Sequence, residues 1–168
     1  MFENLYPDEE ADNSYDILYE ALYGKGYRGI IFDIDNTLVP HGAPATHEAV
    51  RLFERIHAAG FDTLLLSNNK EERVKPFADA VKAQYIFKAH KPARAGYLQA
   101  MKQMNTDPGT TLFIGDQIFT DAWGAKKAGI RTILVKPIHP KEEIQIVLKR
   151  RLEAIVLFFY HRRKGSER

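Results

Sequence analysis

Short apolar runs alternate along the chain with longer segments whose apolar residues recur at three- and four-residue spacing. Gly29 to Asp33, Phe61 to Leu66, Tyr85 to Phe87, Thr111 to Ile114 and Arg131 to Val135 are runs of the first kind. They are short, rich in Ile, Leu, Phe and Val, and bounded by polar residues, so they read as five buried strands. The segments between them read as helices. Thr46 caps one that runs to Ala59, with Val50, Phe53 and Ile56 or His57 inward and Gly60 as its stop. Another begins near Lys70, and Pro76 inside it predicts a break or a restart. His90-Lys91-Pro92 opens the next, with Pro92 at a tolerated first-turn position and Tyr97, Leu98, Met101 and Met104 as its apolar face. After the turn Asp107-Pro108-Gly109, a helix through Ala122, Ala125 and Ala128 stops at Gly129.

Two further helices flank this alternation. Residues 13–23 form a short one, with Ser14 as cap and Ile17, Leu18, Ala21 and Leu22 on one face. A last one runs from Lys141 to about Tyr160. Strand, helix, strand, helix, repeated, means an α/β fold: a five-stranded parallel sheet between helices, joined by right-handed crossovers. No repeat, low-complexity tract or linker divides the chain, so residues 1–168 read as one domain.

Composition narrows the function classes. A length of 168 residues with 45% hydrophobic content is enough for one proper core. A net charge of +2 gives no overall polyanion-binding signal, so no nucleic-acid partner is expected. The chain has no cysteine, which excludes disulfides, thiolate metal sites and cysteine nucleophiles and fits a cytoplasmic protein. The acidic start (Glu3, Asp8, Glu9, Glu10) carries no basic, apolar leader, and no apolar run is long enough to cross a bilayer. Charge is nonetheless uneven, acidic before Lys25 and basic from Lys149 onward.

Candidate chemistry gathers at strand ends. Asp33 and Asp35 are two apart at the end of the first strand and point the same way. Two carboxylates that close repel each other, and a divalent cation or a shared proton relieves them. Ser67-Asn68, Lys91, and Asp116 with Asp121 also follow strands or precede helices, and in a parallel sheet such ends lie along one edge. These residue types suit phosphoryl transfer. A carboxylate can attack phosphorus, a second can move the proton, a hydroxyl and helix-start N–H groups can hold phosphate oxygens, and a lysine can neutralise charge. Each residue also has a plainer reading: a solvated strand end for the Asp pair, a turn for Ser67-Asn68 with Asn69 as a cap, a surface lysine for Lys91.

Taken together the four clusters resemble the four motifs of haloacid dehalogenase-like (HAD) phosphatases, in order. They are Asp33-Ile34-Asp35-Asn36-Thr37-Leu38-Val39, Ser67 after Leu64-Leu65-Leu66, Lys91 before Pro92, and Gly115-Asp116-Gln117-Ile118-Phe119-Thr120-Asp121. The resemblance implies a Rossmann-like core and a phosphatase. Asp33 would be the nucleophile and an Mg²⁺ ligand, and Asp35 the general acid/base with its backbone carbonyl on the metal. Ser67 and the Asn68 backbone would bind phosphate, Lys91 would stabilise the phosphoryl group, and Asp116 would be the main fourth-motif metal ligand. Asp121 would orient Lys91 or a metal-bound water. The intervals between motifs hold one crossover helix each, which implies a capless, open site suited to a large substrate, a head group at a surface, or an oligomer that supplies a lid.

Longer stretches resemble the YqeG-type branch of the class IIIA phosphatases: Asp35-Asn36-Thr37-Leu38, Ser67 through Val74, Phe87 through Pro92, and Ile114 through Asp121. That branch is similar to phosphatidylglycerophosphate phosphatases, which implies a lipid phosphate substrate; a small sugar or nucleotide phosphate is the alternative. A non-catalytic phosphate-sensing or partner-binding protein would be expected to lack the nucleophile or the acid, and both are present. His41 and His90 flank the site and read as solvent-facing. The stretch from Leu148 to Lys164, apolar at Ala154 to Tyr160 with basic flanks, reads as a final helix packed on the domain or on a partner. The alternative for it is peripheral contact with an anionic membrane surface.

Overall fold

A computed structural model describes residues 2–139 and 144–166, the side chains of the latter segment over 148–165. The sheet is parallel throughout and has six strands, in the order β1-β6-β5-β2-β3-β4. The strands are β1 (Glu9–Ala11), β2 (Gly29–Phe32), β3 (Asp62–Leu66), β4 (Gln84–Ile86), β5 (Thr111–Gly115) and β6 (Arg131–Val135). The helices are α1 (Tyr19–Gly24), α2 (His47–Ala59), α3 (Glu71–Val81), α4 (Arg94–Met104), α5 (Trp123–Lys127) and α6 (Ile144–Ser166). A single π-helical turn, Ile118–Ala122, joins β5 to α5.

Alternation along the central strands builds two apolar layers. Ile30 and Phe32 face α2 and α3, where Phe53, Ile56, Val74 and Phe77 cover them. Ile31, between them in sequence, faces the other way and joins Leu64, Leu66, Phe113, Tyr97 and Ala125 under α4 and α5. Every residue of β2 and β5 is therefore buried, and the two strands lie side by side at the sheet centre. Their carboxyl ends deliver Asp33 and Asp116 to adjacent positions. One helix with its loops fills the interval from β2 to β3, and α3 with β4 fills the interval to Lys91, so no cap domain is inserted.

Several boundaries differ from the sequence expectation. The sixth strand, β1, pairs with β6 in the register Glu9↔Ile133 to Ala11↔Val135. Three residues with two carboxylates give no apolar signal; the strand is held by its backbone ladder, by Asp8 accepting from the Thr132 N–H (2.8 Å), and by the Arg131–Glu9 ion pair. The helix expected over 13–23 begins only at Tyr19. Asn13 Oδ1 accepts from the N–H groups of Tyr15 and Asp16, closing a turn. Ser14 is not a cap: it is buried and donates to the Thr37 carbonyl at 2.8 Å, while the Tyr15 hydroxyl donates to the Leu38 carbonyl. This segment thus braces the loop after β2.

Pro76 does not break α3, which runs unbroken from Glu71 to Val81. Val74, Phe77, Ala78 and Val81, from both sides of the proline, are buried in one face, and that burial outweighs the roughly 3 kcal/mol a helical proline costs. Pro92 precedes α4 instead of lying in its first turn: the Lys91–Pro92 bond is cis and the helix starts at Arg94. At the other end α6 continues past Tyr160 to Ser166, whereas its expected start at Lys141 lies outside the described residues. It buries Glu153, Val156 and Tyr160 and leaves Leu148, Leu152, Ile155, Phe158 and Phe159 exposed, so the Ala154–Tyr160 stretch has one docked face and one open face. Among the described residues no helix is long and apolar enough to cross a membrane.

Candidate active site

The chain leaves β2 through a tight loop. The Asp33 N–H still pairs with the Ile114 carbonyl of β5 (3.0 Å), and the Ile34 carbonyl then accepts from Thr37 and Leu38. Asn36 takes a left-handed backbone (φ +60°), a conformation that asparagine tolerates better than most residues. The turn brings Asp33 and Asp35 into one open pocket of about 200 Å³, with Ser67, Asn68, Asn69, Lys91, Gln117, Thr120, His41 and Lys149 around it. Five of the seven site residues expected from sequence line this pocket, and Asp116 and Asp121 lie beneath it. His41 is at its wall.

Lys91 organises the floor. Its ammonium donates to Asp33 Oδ1 and to Asp121 Oδ1, both at 2.8 Å, and its side chain is 4% exposed. Burial alone would pull this lysine down, but the carboxylates of Asp121 and Asp33 outweigh it and hold its pKa above the usual value. Burial acts on Asp33 in the opposite sense and raises it well above the ordinary carboxylate range, reinforced by Asp121 and Asp116 and opposed by Lys91. The Asn68 side chain fixes the lysine backbone from both sides: Oδ1 accepts from the Lys91 N–H (2.6 Å) and Nδ2 donates to the Lys91 carbonyl (3.2 Å). The buried Ser67 Oγ accepts from the Asn69 N–H (3.1 Å), which leaves its own O–H to donate into the pocket.

Asp121 reaches Lys91 because the π-helical turn places it back over Gly115. A Cβ at Gly115 would lie 2.5 Å from Asp121 Oδ2 and within 2.8 Å of its Cγ and Cβ. The whole short side chain is in the way, so it cannot yield by rotating its tip. Gly115→Ala is therefore expected to cost about 1–3 kcal/mol of stability and, by moving Asp121 off Lys91, to lower turnover about 10²-fold. Thermal unfolding and phosphate release measure the two effects.

Asp116 is also buried. Its Oδ1 accepts from Thr37 Oγ1 (3.0 Å), and its Oδ2 and main-chain carbonyl accept from the Arg150 guanidinium of α6. Burial, then Asp121, push its pKa up to about 6, against the pull of Arg150 and Thr37. Because this pKa is raised on folding, the folded metal-free chain holds the proton more tightly than the unfolded chain between about pH 4 and 6. Stability from this group is accordingly lost as pH rises through that window, by up to about 3 kcal/mol. Urea unfolding in chelator should show this fall in the wild-type protein and a flatter profile in Asp116→Asn; parallel profiles would contradict it.

Three residues near the site were not legible as functional. Arg73 donates to Asp35 Oδ1 (2.9 Å), beside the Gly42 N–H (2.8 Å) and Asn69 Nδ2 on Asp35 Oδ2 (2.7 Å). An arginine in the first turn of a helix opposes the helix dipole and so asks for a partner, which is the signal that would have found it. Asn69, expected as a cap, serves Asp35 instead, and α3 starts from Lys70 with no side-chain cap. Arg150 reads in the sequence as one cation in a basic, solvated stretch, and only the docking of α6 brings it to Asp116.

Carboxylate oxygens of Asp33, Asp116 and Asp121 lie within 4.8 Å of one another, and all three residues are buried. Three hard oxygen donors converging in a site of this polarity fit a divalent cation, which would offset their mutual repulsion.

The model of the haloacid dehalogenase-like hydrolases matches residues 43–129. A Bacillus subtilis (strain 168) protein named "Probable phosphatase YqeG" is 35% identical over 152 residues, covering 90% of this chain and 88% of that protein. The Arabidopsis thaliana phosphatidylglycerophosphate phosphatase 1 is 28% identical over 83% of this chain, which spans 43% of that longer protein. Among solved structures, the cobalt-bound deoxy-D-mannose-octulosonate 8-phosphate phosphatase of Haemophilus influenzae superposes with a TM-score of 0.54 at 13% identity, over 66% of this chain and 69% of that one.

Proposed function

The chain belongs to the haloacid dehalogenase-like hydrolases, and from that premise we propose that it is a Mg²⁺-dependent phosphomonoesterase acting through an aspartyl-phosphate on Asp33. The observation that carries this reading is the Lys91 ammonium bridging Asp33 and Asp121 at 2.8 Å each, beside Asp116 and below Ser67 and Asn68. Lys91 occupies Asp33 Oδ1, and among the described residues no hydrogen bond reaches Oδ2, which supports taking Oδ2 as the attacking oxygen.

In the first step a bond forms from Asp33 Oδ2 to phosphorus as the bond from phosphorus to the leaving oxygen breaks. Asp35 gives its proton to that oxygen. In the second step Asp35 takes a proton from water, the water oxygen attacks phosphorus, and the Asp33 carboxylate is released. Asp35 accepts three hydrogen bonds, so carrying a proton requires that one of its oxygens give up a donor. The Ser67 hydroxyl and the Asn68 N–H hold the phosphate oxygens, and Lys91 balances their charge. Asp33, the Asp35 carbonyl and Asp116 would hold Mg²⁺; Asp121, though within the same cluster, accepts from Lys91 on Oδ1 and from the Gln117 N–H on Oδ2, and would position Lys91. When bound, the ion supplies positive charge against the phosphate oxygens.

For the substrate, the likeness to the Arabidopsis phosphatidylglycerophosphate phosphatase supports a lipid phosphate. So does the exposed stripe of Leu148, Leu152, Ile155 and Phe159 on α6, which would seat the protein against an anionic membrane with Lys149 at the pocket. In this reading the chain is a single capless unit, at work in the cytoplasm at a membrane surface. The test is phosphate release from phosphatidylglycerophosphate in mixed micelles and from small sugar and nucleotide phosphates, with Mg²⁺ and with chelator. Preference for the lipid supports the reading. Activity on soluble esters alone would keep the chemistry and remove the lipid; no Mg²⁺-dependent release from any of them would remove both.

A further inference from the structure

Asp116 belongs to two constellations at once. β5 presents its carboxylate to Asp33 and Asp121, and α6 presents Arg150 to the same carboxylate. Arg150 Nη2 donates to Asp116 Oδ2, and Nη1 donates to the Asp116 carbonyl and to Glu153 Oε2 (3.1 Å). Glu153, itself 4% exposed, accepts on Oε1 from the N–H groups of Ile118 (2.8 Å) and Phe119 (3.3 Å). Those two amides start the π-helical turn that carries Asp121. One turn of α6 therefore clamps the whole segment that carries Asp116 and Asp121.

With Thr37 on Oδ1 and Arg150 on Oδ2, each oxygen of Asp116 already has a donor. A divalent cation on this carboxylate would have to share it with a guanidinium of the same sign, in a buried setting where like charges are weakly screened. Beyond this clamp α6 is held by Val156 and Leu157 on Ile118 and Leu134, by Phe159 against Phe2 and Tyr160 against Tyr6, and by the surface pairs His161–Glu10 and Arg163–Glu3. A cavity of about 620 Å³ that reaches Asp116 and Arg150 is lined by Ala154 and Leu157 of α6 and by Leu134 and Val135 of β6. The apolar contacts of α6 form a small cluster of their own, and neither of the two apolar layers on the central strands contains an α6 residue, so α6 can detach without opening those layers.

We propose that α6 is an autoinhibitory strap: Arg150 holds the Asp116 carboxylate in the metal-free enzyme, and metal loading and docking of Arg150 exclude each other. The proposal rests on the reading of Asp116 as a metal ligand. Reciprocity follows, since whatever weakens the Arg150 contact tightens metal binding, and metal binding loosens α6 by the same factor.

The experiment titrates the full chain with Mn²⁺ alone, as a stand-in for Mg²⁺, and counts bound ion by loss of the free-ion paramagnetic resonance signal. Arg150→Met keeps the stem and removes the charge, and it is expected to bind Mn²⁺ about 5- to 150-fold tighter than wild type. In parallel, amide exchange over residues 150–163 of the wild-type protein is expected to speed up when Mn²⁺ is added, a readout that does not depend on how the variant folds. Equal or weaker Mn²⁺ binding by Arg150→Met, or α6 amides that exchange no faster with metal, overturns the strap. Asp116→Asn separates the strap from the ligand assignment beneath it. Undiminished Mn²⁺ binding in that variant would overturn the ligand assignment itself, and the strap with it. Lost binding supports the assignment, and Arg150→Met then decides for or against the strap.

Discussion

Asp33→Asn is expected to lower phosphate release by about 10⁴-fold or more, on the order of what loss of a covalent nucleophile costs, and to leave the fold in place. The substitution keeps size and shape, and an amide oxygen can still accept from Lys91. It removes a charge that burial already disfavours at this position, as the raised pKa of Asp33 records. The unfolding midpoint should accordingly move little, by about 1 kcal/mol or less, while turnover disappears. Steady-state release on the best substrate, together with urea unfolding of both proteins, checks the pair of outcomes. Retained turnover would remove Asp33 from the chemistry; loss of folding would make it a structural residue.

Lys91→Met should do both kinds of damage. The wild-type ammonium is the cation between Asp33 and Asp121, and Asp116 lies within the same 4.8 Å cluster. Without it, buried carboxylates face one another, and removing one partner of such a pair costs about 3–5 kcal/mol. The deficit has a direction in pH. Asp33, already raised by burial, takes up a proton as pH falls and relieves the repulsion, so the variant is closest to wild type in acid and loses ground as pH rises. Turnover should fall by about 10²–10⁴-fold as the transferring group loses its counter-charge. Unfolding at several pH values in chelator reads the first effect. A deficit that stays flat across pH would mean that the lysine serves packing and not charge.

Much of this arrangement was legible because it follows from short-range rules. Ile30 to Phe32 announce a buried strand, and two carboxylates at its end announce chemistry. The spacing of Ser67, Lys91 and Asp116 after their own strands then places the pocket along one sheet edge. What escaped depends on long-range docking. The edge strand Glu9–Ala11 has no apolar residue besides Ala11 and exists through its pairing with β6. Ser14 and Asn13 carry local capping signals, yet Ser14 and Tyr15 find better partners on the loop at Thr37 and Leu38. Pro76 reads as a break where burial of Phe77 holds the helix together. Arg73 and Arg150 are ordinary helix cations until the helices that carry them settle against Asp35 and Asp116.

The measurement that bears most directly on the central claim is mass spectrometry of the enzyme quenched in acid during turnover of its best substrate with Mg²⁺. The expected result is a phosphoryl group on the peptide that carries Asp33, labile to base and absent both from Asp33→Asn and from chelator-treated enzyme. Sustained phosphate release with no adduct on that peptide, or an adduct on Asp35 or another residue, would contradict the assignment of Asp33 as nucleophile.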